Sequence, residues 1–212
     1  MEPARRSSEV RQIELTDAAL RIIATRGITA LSTRNLAAEV GLSTGAIFRH
    51  FASLDALLVA VVARVESVLD GTYPSTELPA RERLERFVEA RGAAVGAQLG
   101  ILRLVLSDQF LMALPKNASA QLSACIQRSW SFVRGCIEEG QRAGEFRADI
   151  DAQALTVIVM GTIHMLALSS GPLRQRANVA GAVRGGLGAL LRPPPAAHSA
   201  GKKSSLLRRG RT

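Results

Sequence analysis

Residue types that commonly carry catalysis or bind metals are scarce in this 212-residue chain. It has three histidines, at positions 50, 164 and 198, and two cysteines, at positions 125 and 136. No group of Cys, His, Asp or Glu has the spacing of a metal site, and no glycine-rich phosphate loop follows a strand. The cysteines are eleven residues apart on one predicted helix, about 16 Å along its axis, which is too far for a disulfide. We therefore expect two reduced core cysteines, no enzyme, no metal and no other cofactor.

Long apolar runs are also lacking. The longest segment without Asp, Glu, Lys or Arg is 152–173, and it is interrupted by polar residues and by Gly171 and Pro172, so we do not expect a membrane span. The first residues carry acids and polar side chains where a secretory signal needs an apolar centre. These two features predict a cytoplasmic protein that does not contact a membrane.

Alternation at period two, the pattern of a β-strand, is missing as well. Apolar residues recur at helical spacing almost throughout, which predicts an all-α protein. The first helix is expected at 8–26 with Ile13, Ala19, Ile22 and Ile23 buried, and three more are expected to begin after Ser32, Ser43 and Ser53, which are good N-caps. Longer helices should follow Pro79, with bounds near 101–114, 118–141, 152–169 and 173–191.

The net charge of +9 is unevenly distributed along the chain. Residues 53–191 are nearly neutral, whereas residues 192–212 contain six Lys or Arg and no acid. This end is also rich in Pro, Gly and Ser, which predicts a disordered tail. A basic tail is consistent with a polyanionic partner, but it is as often a solubilising appendage.

Residues 32–51, STRNLAAEVGLSTGAIFRHF, have the pattern of a helix-turn-helix: a capped helix, a turn containing glycine and a second short helix. Helical geometry directs Ile47 and Phe51 toward the core and leaves Phe48 and Arg49 on the opposite face. Arg49 can reach a guanine edge or a phosphate of double-stranded DNA. The candidate DNA contacts are Ser32, Thr33, Arg34, Ser43, Thr44, Gly45, Phe48, Arg49 and His50. For His50, a phosphate contact and a local packing role are equally good interpretations.

The first seventy residues resemble the N-terminal domain of the TetR (tetracycline-repressor-like) family of bacterial transcriptional regulators. The resemblance implies an N-terminal three-helix helix-turn-helix head at 1–52 and a C-terminal helical domain at 53–191 for effector binding and dimerisation. It also implies a homodimeric repressor, released from a pseudo-palindromic operator by a small molecule. The matching positions are Ser32, Arg34, Leu36, Ala37, Val40, Gly41, Leu42, Ser43, Gly45, Ile47, Phe48, His50 and Phe51.

Two positions depart from the family pattern. Phe48 stands where the family usually has a Tyr whose hydroxyl bonds a phosphate. Leu54 stands where the family usually has a Lys early in the fourth helix. Both departures predict weaker contact with the DNA backbone, which the basic tail could offset nonspecifically.

The position of the expected ligand pocket is inferred from the apolar and aromatic residues of the C-terminal region. The neutral C-terminal region suits an apolar or aromatic effector of modest size, and the fourth helix is expected to be the only direct link between pocket and head. Glycines 181, 185 and 188 in the last helix predict close approach of a partner helix, with an intramolecular crossing or a frayed helix as the alternatives. The candidate pocket residues are Phe110, Met112, Trp130, Met160 and His164, although Met and aromatic residues at helical spacing are more often core residues and a core or interface role is also favoured for His164.

Two other functions remain open. One is an effector-free structural or cell-cycle DNA-binding protein of the same fold. The other is a membrane-surface binder that uses the tail, which is less favoured because the tail charges form no amphipathic helix.

Overall fold

The computed structural model describes residues 8–97, 108–168 and 173–195, and every regular element in these ranges is helical. This agrees with the all-α prediction. Helices begin directly after Ser32, Ser43 and Ser53, as predicted. The elements are α1 (Ser8–Arg26), a 3₁₀ turn (Ile28–Ala30), α2 (Thr33–Val40), α3 (Thr44–Phe48), α4 (Leu54–Asp70), α5 (Ala80–Ala97), α6 (Asp108–Ala113), α7 (Lys116–Arg142), α8 (Ala152–Leu168) and α9 (Leu173–Leu191).

Serine caps fix where α2, α3 and α4 begin. The side-chain oxygens of Ser32, Ser43 and Ser53 each accept a hydrogen bond from the backbone N–H three residues on, at 3.2, 3.2 and 3.1 Å. Each bond satisfies one of the N–H groups that have no partner within the helix. Gly41 ends α2 with a φ of 67°, a left-handed conformation that favours glycine. The turn between α2 and α3 is therefore set at both ends by residue type.

The first hydrophobic cluster joins the three head helices to α4. Its fully buried members include Leu15, Ile22 and Leu36, and it continues into Phe110 and Leu122 of α6 and α7. Ile13 is 51% exposed, so the prediction that it is buried is wrong. The prediction is confirmed for Ala19, Ile22 and Ile23, and Leu15 and Ala18 are buried beside them on the same side of α1.

This cluster also corrects the expectation that α4 is the only direct link between head and body. Phe110 of α6, Leu114 and Ala118 belong to the same cluster as the head residues, so a second apolar connection runs beside α4. The sequence pattern did not reveal it, because periodicity identifies buried faces but not which faces meet.

The second cluster forms the centre of the C-terminal part, where α5, α7, α8 and α9 pack together. Phe87, Ile137, Leu155 and Val159 are fully buried in it. Cys136 lies here, whereas Cys125 lies in the first cluster, and both are buried free thiols, as predicted. Burial raises the pKa of both, that of Cys136 to about 11.

Helix bounds in the C-terminal part follow the prediction closely where they can be compared. Residues 108–113 of the predicted 101–114 helix are helical, and its earlier residues lie outside the described ranges. The predicted 118–141 helix begins two residues earlier, immediately after Pro115. Most of the tail also lies outside the described ranges. Among the described helices, none is long and apolar enough to cross a membrane.

Candidate nucleic-acid interface

The short helix α3 presents opposite faces to the core and to solvent. Ile47 is 2% exposed and Phe51, just beyond the helix, is 8% exposed. Phe48 is 52% exposed, and Thr44, Gly45 and Arg49 are exposed with it. A Cβ added to Gly45 would meet no atom within 4 Å. The predicted orientation of the helix is therefore confirmed, and its outer face is open to a large partner.

Contacts from α1 hold the end of α3 in place. The Gln12 side-chain amide donates a 2.9 Å hydrogen bond to the carbonyl oxygen of His50, and the Ser8 hydroxyl lies 3.3 Å from His50 Nδ1. His50 is partly buried as a result. This placement supports the packing interpretation of His50 through Nδ1, while a phosphate contact through Nε2 stays a prediction.

The start of α2 lies beside α3 and adds polar groups to the same region. Arg34 is exposed and Thr33 is partly exposed. Ser32 and Ser43 serve as caps, and each hydroxyl keeps its own hydrogen for donation to a further acceptor. Asn35 donates a 2.8 Å hydrogen bond to the carbonyl of Ala30, which ties α2 to the preceding turn. This bond helps to set the angle at which α2 leaves the turn. The spacing of apolar residues along the sequence does not predict it.

Charge at this surface comes mainly from two arginines. Arg34 and Arg49 form no ion pair with any side chain that the structure describes, whereas Arg21 and Arg26 both pair with Glu39, at 3.5 and 3.0 Å. An unpaired, exposed guanidinium can bind a phosphate or a guanine edge without first breaking an internal contact. Among the described cations of the head, Arg34 and Arg49 are thus the best placed for a polyanion.

The five predicted pocket residues do not come together. Phe110 is fully buried in the first cluster, Met112 is 85% exposed, and Trp130 lies at a separate groove between α7 and α8 with Gln153. Met160 and His164 share a small internal cavity between α5, α7 and α8. Burial and the nearby Arg91 lower the pKa of His164, which favours a neutral ring.

The same cavity contains Arg91, which sequence reasoning missed. Arg91 is only 4% exposed, and its guanidinium donates to Ser129 Oγ at 3.1 Å. A signal was available in the sequence, because position 91 continues the buried stripe of α5 that runs through Leu84, Phe87 and Val88. A cation at an apolar position of a helix is unusual enough to mark a site.

Comparison with known proteins identifies the head. Residues 15–61, which span the end of α1 through α2 and α3 into α4, match the model of the tetR family of bacterial regulatory proteins. The head is therefore similar in sequence to regulators of the tetR family. The chain's HTH-type relative KstR2, a transcriptional repressor from Rhodococcus jostii, is 27% identical over 146 residues, covering 68% of this chain and 71% of KstR2.

Solved structures share the fold of this chain over most of its length. The ketosteroid transcriptional regulator KstR2 of Mycobacterium tuberculosis aligns with a TM-score of 0.67 at 20% identity, covering 83% of this chain and 94% of that protein. AibR, solved in complex with isovaleryl coenzyme A and operator DNA, aligns with a TM-score of 0.71 at 16% identity, covering 87% and 100%. The likeness extends beyond the head into the C-terminal helices.

Proposed function

We propose that this protein is a transcriptional repressor that binds a pseudo-palindromic operator as a homodimer and is released from it by a small molecule. The observation that carries the proposal is the exposed face of α3, where Phe48 and Arg49 are held outward by the buried Ile47 and Phe51. In this proposal residues 1–52 are the DNA-binding head, residues 53–191 bind the effector and the partner subunit, and residues 192–212 are a basic tail.

The DNA contacts divide by chemistry. Arg49 reads a base edge or binds a phosphate in the major groove, and Gly45 allows the backbone of α3 to approach the DNA closely. Ser32, Thr33 and Arg34 contact the backbone and fix the register without reading sequence. Thr44 and Ser43 extend that contact at the start of α3. Phe48 supplies apolar contact area without the hydroxyl that is usual in the family.

Dimerisation is supported by the outer surfaces of α8 and α9. Val157, Gly161 and Met165 are exposed and recur at intervals of four residues, so they form one apolar stripe along α8. In α9, a Cβ added to Gly181 or Gly185 would meet no atom within 4 Å. The space beside Gly185 belongs to a groove of about 320 Å³ that α9 forms with α5 of the same chain, whereas the space beside Gly181 supports approach of a partner helix.

Release by an effector is supported by the position of α4. Its buried residues from Leu57 to Leu69 all belong to the head cluster, and Arg64 pairs with Asp17 of α1 at 3.2 Å. Near the end of α4, Glu66 accepts a 2.6 Å hydrogen bond from Arg128 of α7, and Leu69 lines the internal cavity. A change in the cavity can thus alter the angle of the head, and a ligand shifts the DNA equilibrium only by its difference in affinity for the two arrangements.

The proposal is tested by selecting sites from a random DNA pool and footprinting the selected site. A two-fold dimer predicts inverted half-sites with two protected regions about one helical turn, or roughly 34 Å, apart or a little more. Selection of no sequence, or of single asymmetric sites only, would contradict the regulator proposal. A selected site whose occupancy no small molecule changes would instead favour the effector-free alternative.

A further inference from the structure

Arg91 is a buried cation without an acidic partner. It makes no ion pair with any side chain that the structure describes, and its Nε–H, which is buried, has no hydrogen-bond acceptor among the described residues. The guanidinium of Arg91 donates a hydrogen bond to the Ser129 hydroxyl oxygen at 3.1 Å. A buried charge of this kind is costly unless something else compensates it. Burial lowers the pKa of Arg91, and interactions with Tyr73, Cys125 and Asp70 oppose that change, but among the described residues none accepts the hydrogen of the buried Nε–H.

Two aromatic rings fix the direction of this guanidinium. Its central carbon lies 4.7 Å from the centroid of the Phe87 ring and 5.5 Å from that of Tyr73. The Tyr73 hydroxyl is 3.1 Å from Ser129 Oγ, so the ring, the hydroxyl and the cation form one connected group. Cation–π contacts offset part of the cost of burial but leave N–H donors unused.

The guanidinium borders a cavity of about 30 Å³. Ser129 and His164 are its other polar lining residues, and apolar side chains, including Leu69, Met160 and Ile163, form the rest. This volume has room for one or two waters or for a group the size of a carboxylate. It is too small and too weakly charged for a phosphate dianion, which a single guanidinium would not neutralise.

We propose that this cavity receives the carboxylate of a small organic effector, with Arg91 as its counter-ion. A carboxylate is planar and accepts paired hydrogen bonds from the guanidinium fork, including from the unused Nε–H. Ser129 and His164 flank the bound oxygens, and a hydrocarbon substituent extends out of the cavity, which is open on one side. The effector expected from the sequence, an apolar molecule, thus becomes an apolar molecule with one acidic group. The regulatory part of this inference rests on the proposed function, whereas the binding site itself does not.

The site lies where binding can reach the DNA-binding head. Leu69, in the last turn of α4, forms part of the cavity wall, and Asp70 beside it is paired with Arg128 at 3.3 Å. Insertion of a carboxylate between Arg91 and His164 therefore displaces or tightens the end of α4 directly. Leu69 itself and the earlier buried residues of α4 belong to the head cluster.

Matched probes that differ only in charge test the site without DNA. Acetate and acetamide, and hexanoate and hexanamide, are compared at constant ionic strength by thermal shift and calorimetry. The wild-type chain should bind hexanoate at least about tenfold more tightly than hexanamide, because the charged hydrogen bonds to Arg91 are lost with the amide. The variant Arg91→Met, which removes the charge and keeps much of the volume, should lose this preference. Arg134→Met, which removes an exposed arginine paired with Glu138 on α7, is the control and should keep it.

Folding of the variants is checked by circular dichroism. Arg91→Met should keep or raise the thermal midpoint, because replacing an uncompensated buried charge with an apolar side chain is neutral or stabilising. If this variant does not fold, Arg91→Lys keeps the charge without the planar fork, and it should bind hexanoate more weakly than the wild type while still preferring it to hexanamide.

Two outcomes would overturn the proposal. One is a wild-type chain that neither acetate nor hexanoate stabilises more than the matching amide. The other is an Arg91→Met variant that still prefers the carboxylate. Failure of the repressor proposal is separate, because it would appear in the DNA selection while carboxylate binding remained intact.

Discussion

Replacing Phe48 with Tyr adds one hydroxyl at the surface that we assign to DNA. The ring is 52% exposed on the outer face of α3, so the new group can extend into solvent without displacing a core neighbour. Tyr is also the residue that the family pattern usually has at this position. A hydroxyl that donates to a backbone phosphate contributes about 0.5 to 1.5 kcal/mol after the loss of its water contacts. This corresponds to about a two- to twelvefold gain in DNA affinity.

The measurement is fluorescence anisotropy with labelled duplexes at fixed salt. Because phosphates carry no sequence information, Phe48→Tyr should improve binding to the selected operator and to an unrelated duplex by similar factors. The thermal midpoint should barely change, since the ring is not part of a hydrophobic cluster of the structure.

Phe51→Tyr is the matched control for this substitution. It makes the same chemical change three residues further along, at a side chain that is only 8% exposed. A buried hydroxyl without a partner costs about 1 to 3 kcal/mol, so this variant should unfold at a lower temperature and gain no DNA affinity. Weaker DNA binding by a stably folded Phe48→Tyr variant would refute the reasoning, because it would place the ring against a base methyl group instead of the backbone.

Three further predictions follow from other parts of the chain. Truncation after Leu191 removes six basic residues and no acid. The thermal midpoint should stay nearly unchanged, while log DNA affinity should depend less steeply on log salt concentration. An unchanged slope would show that the tail has no electrostatic role in DNA binding. Met165→Arg places a charge on the exposed α8 stripe, so this variant should be a folded monomer in analytical ultracentrifugation and bind the operator weakly in anisotropy measurements. The control variant Met112→Arg, at a residue 85% exposed on α6, should remain dimeric. Burial and the Arg91 charge lower the pKa of His164 below its usual 6.5 in the folded chain, so the unfolded chain takes up a proton first as the pH falls. Acidification through about pH 6.5 should therefore lower the free energy of unfolding of the wild type more than that of His164→Gln in denaturant titrations. Equal losses in the two proteins would contradict this assignment.

The DNA-binding head could be predicted in detail because its signals are local. Ser32, Ser43 and Ser53 act within three residues of their own positions, and Gly41 adopts the left-handed turn that its residue type favours. The alternation of Ile47 and Phe48 between core and solvent follows from helical geometry alone. Each of these features is specified by a few neighbouring residues.

The C-terminal site could not be predicted in the same way, because it depends on which helices meet. Periodicity marked Phe110 and Met160 equally as apolar helix positions, yet Phe110 packs in the head cluster and Met160 lines the cavity. The contact between Arg91 and Ser129 joins residues 38 positions apart. Ile13 is exposed although it is apolar, because residue type alone does not show on which side of α1 the neighbouring helices pack.

The central claim, that the outer face of α3 contacts DNA, is tested most directly by measuring operator and nonspecific affinity for Arg49→Ala. Loss of a base contact predicts about 1 to 3 kcal/mol weaker operator binding, or about five- to 150-fold, with little change on unrelated DNA. Loss of a phosphate contact predicts similar weakening on both. Arg21→Ala, which removes an exposed head arginine already paired with Glu39, should have a much smaller effect. An Arg49→Ala variant that binds both duplexes as the wild type does would contradict the account.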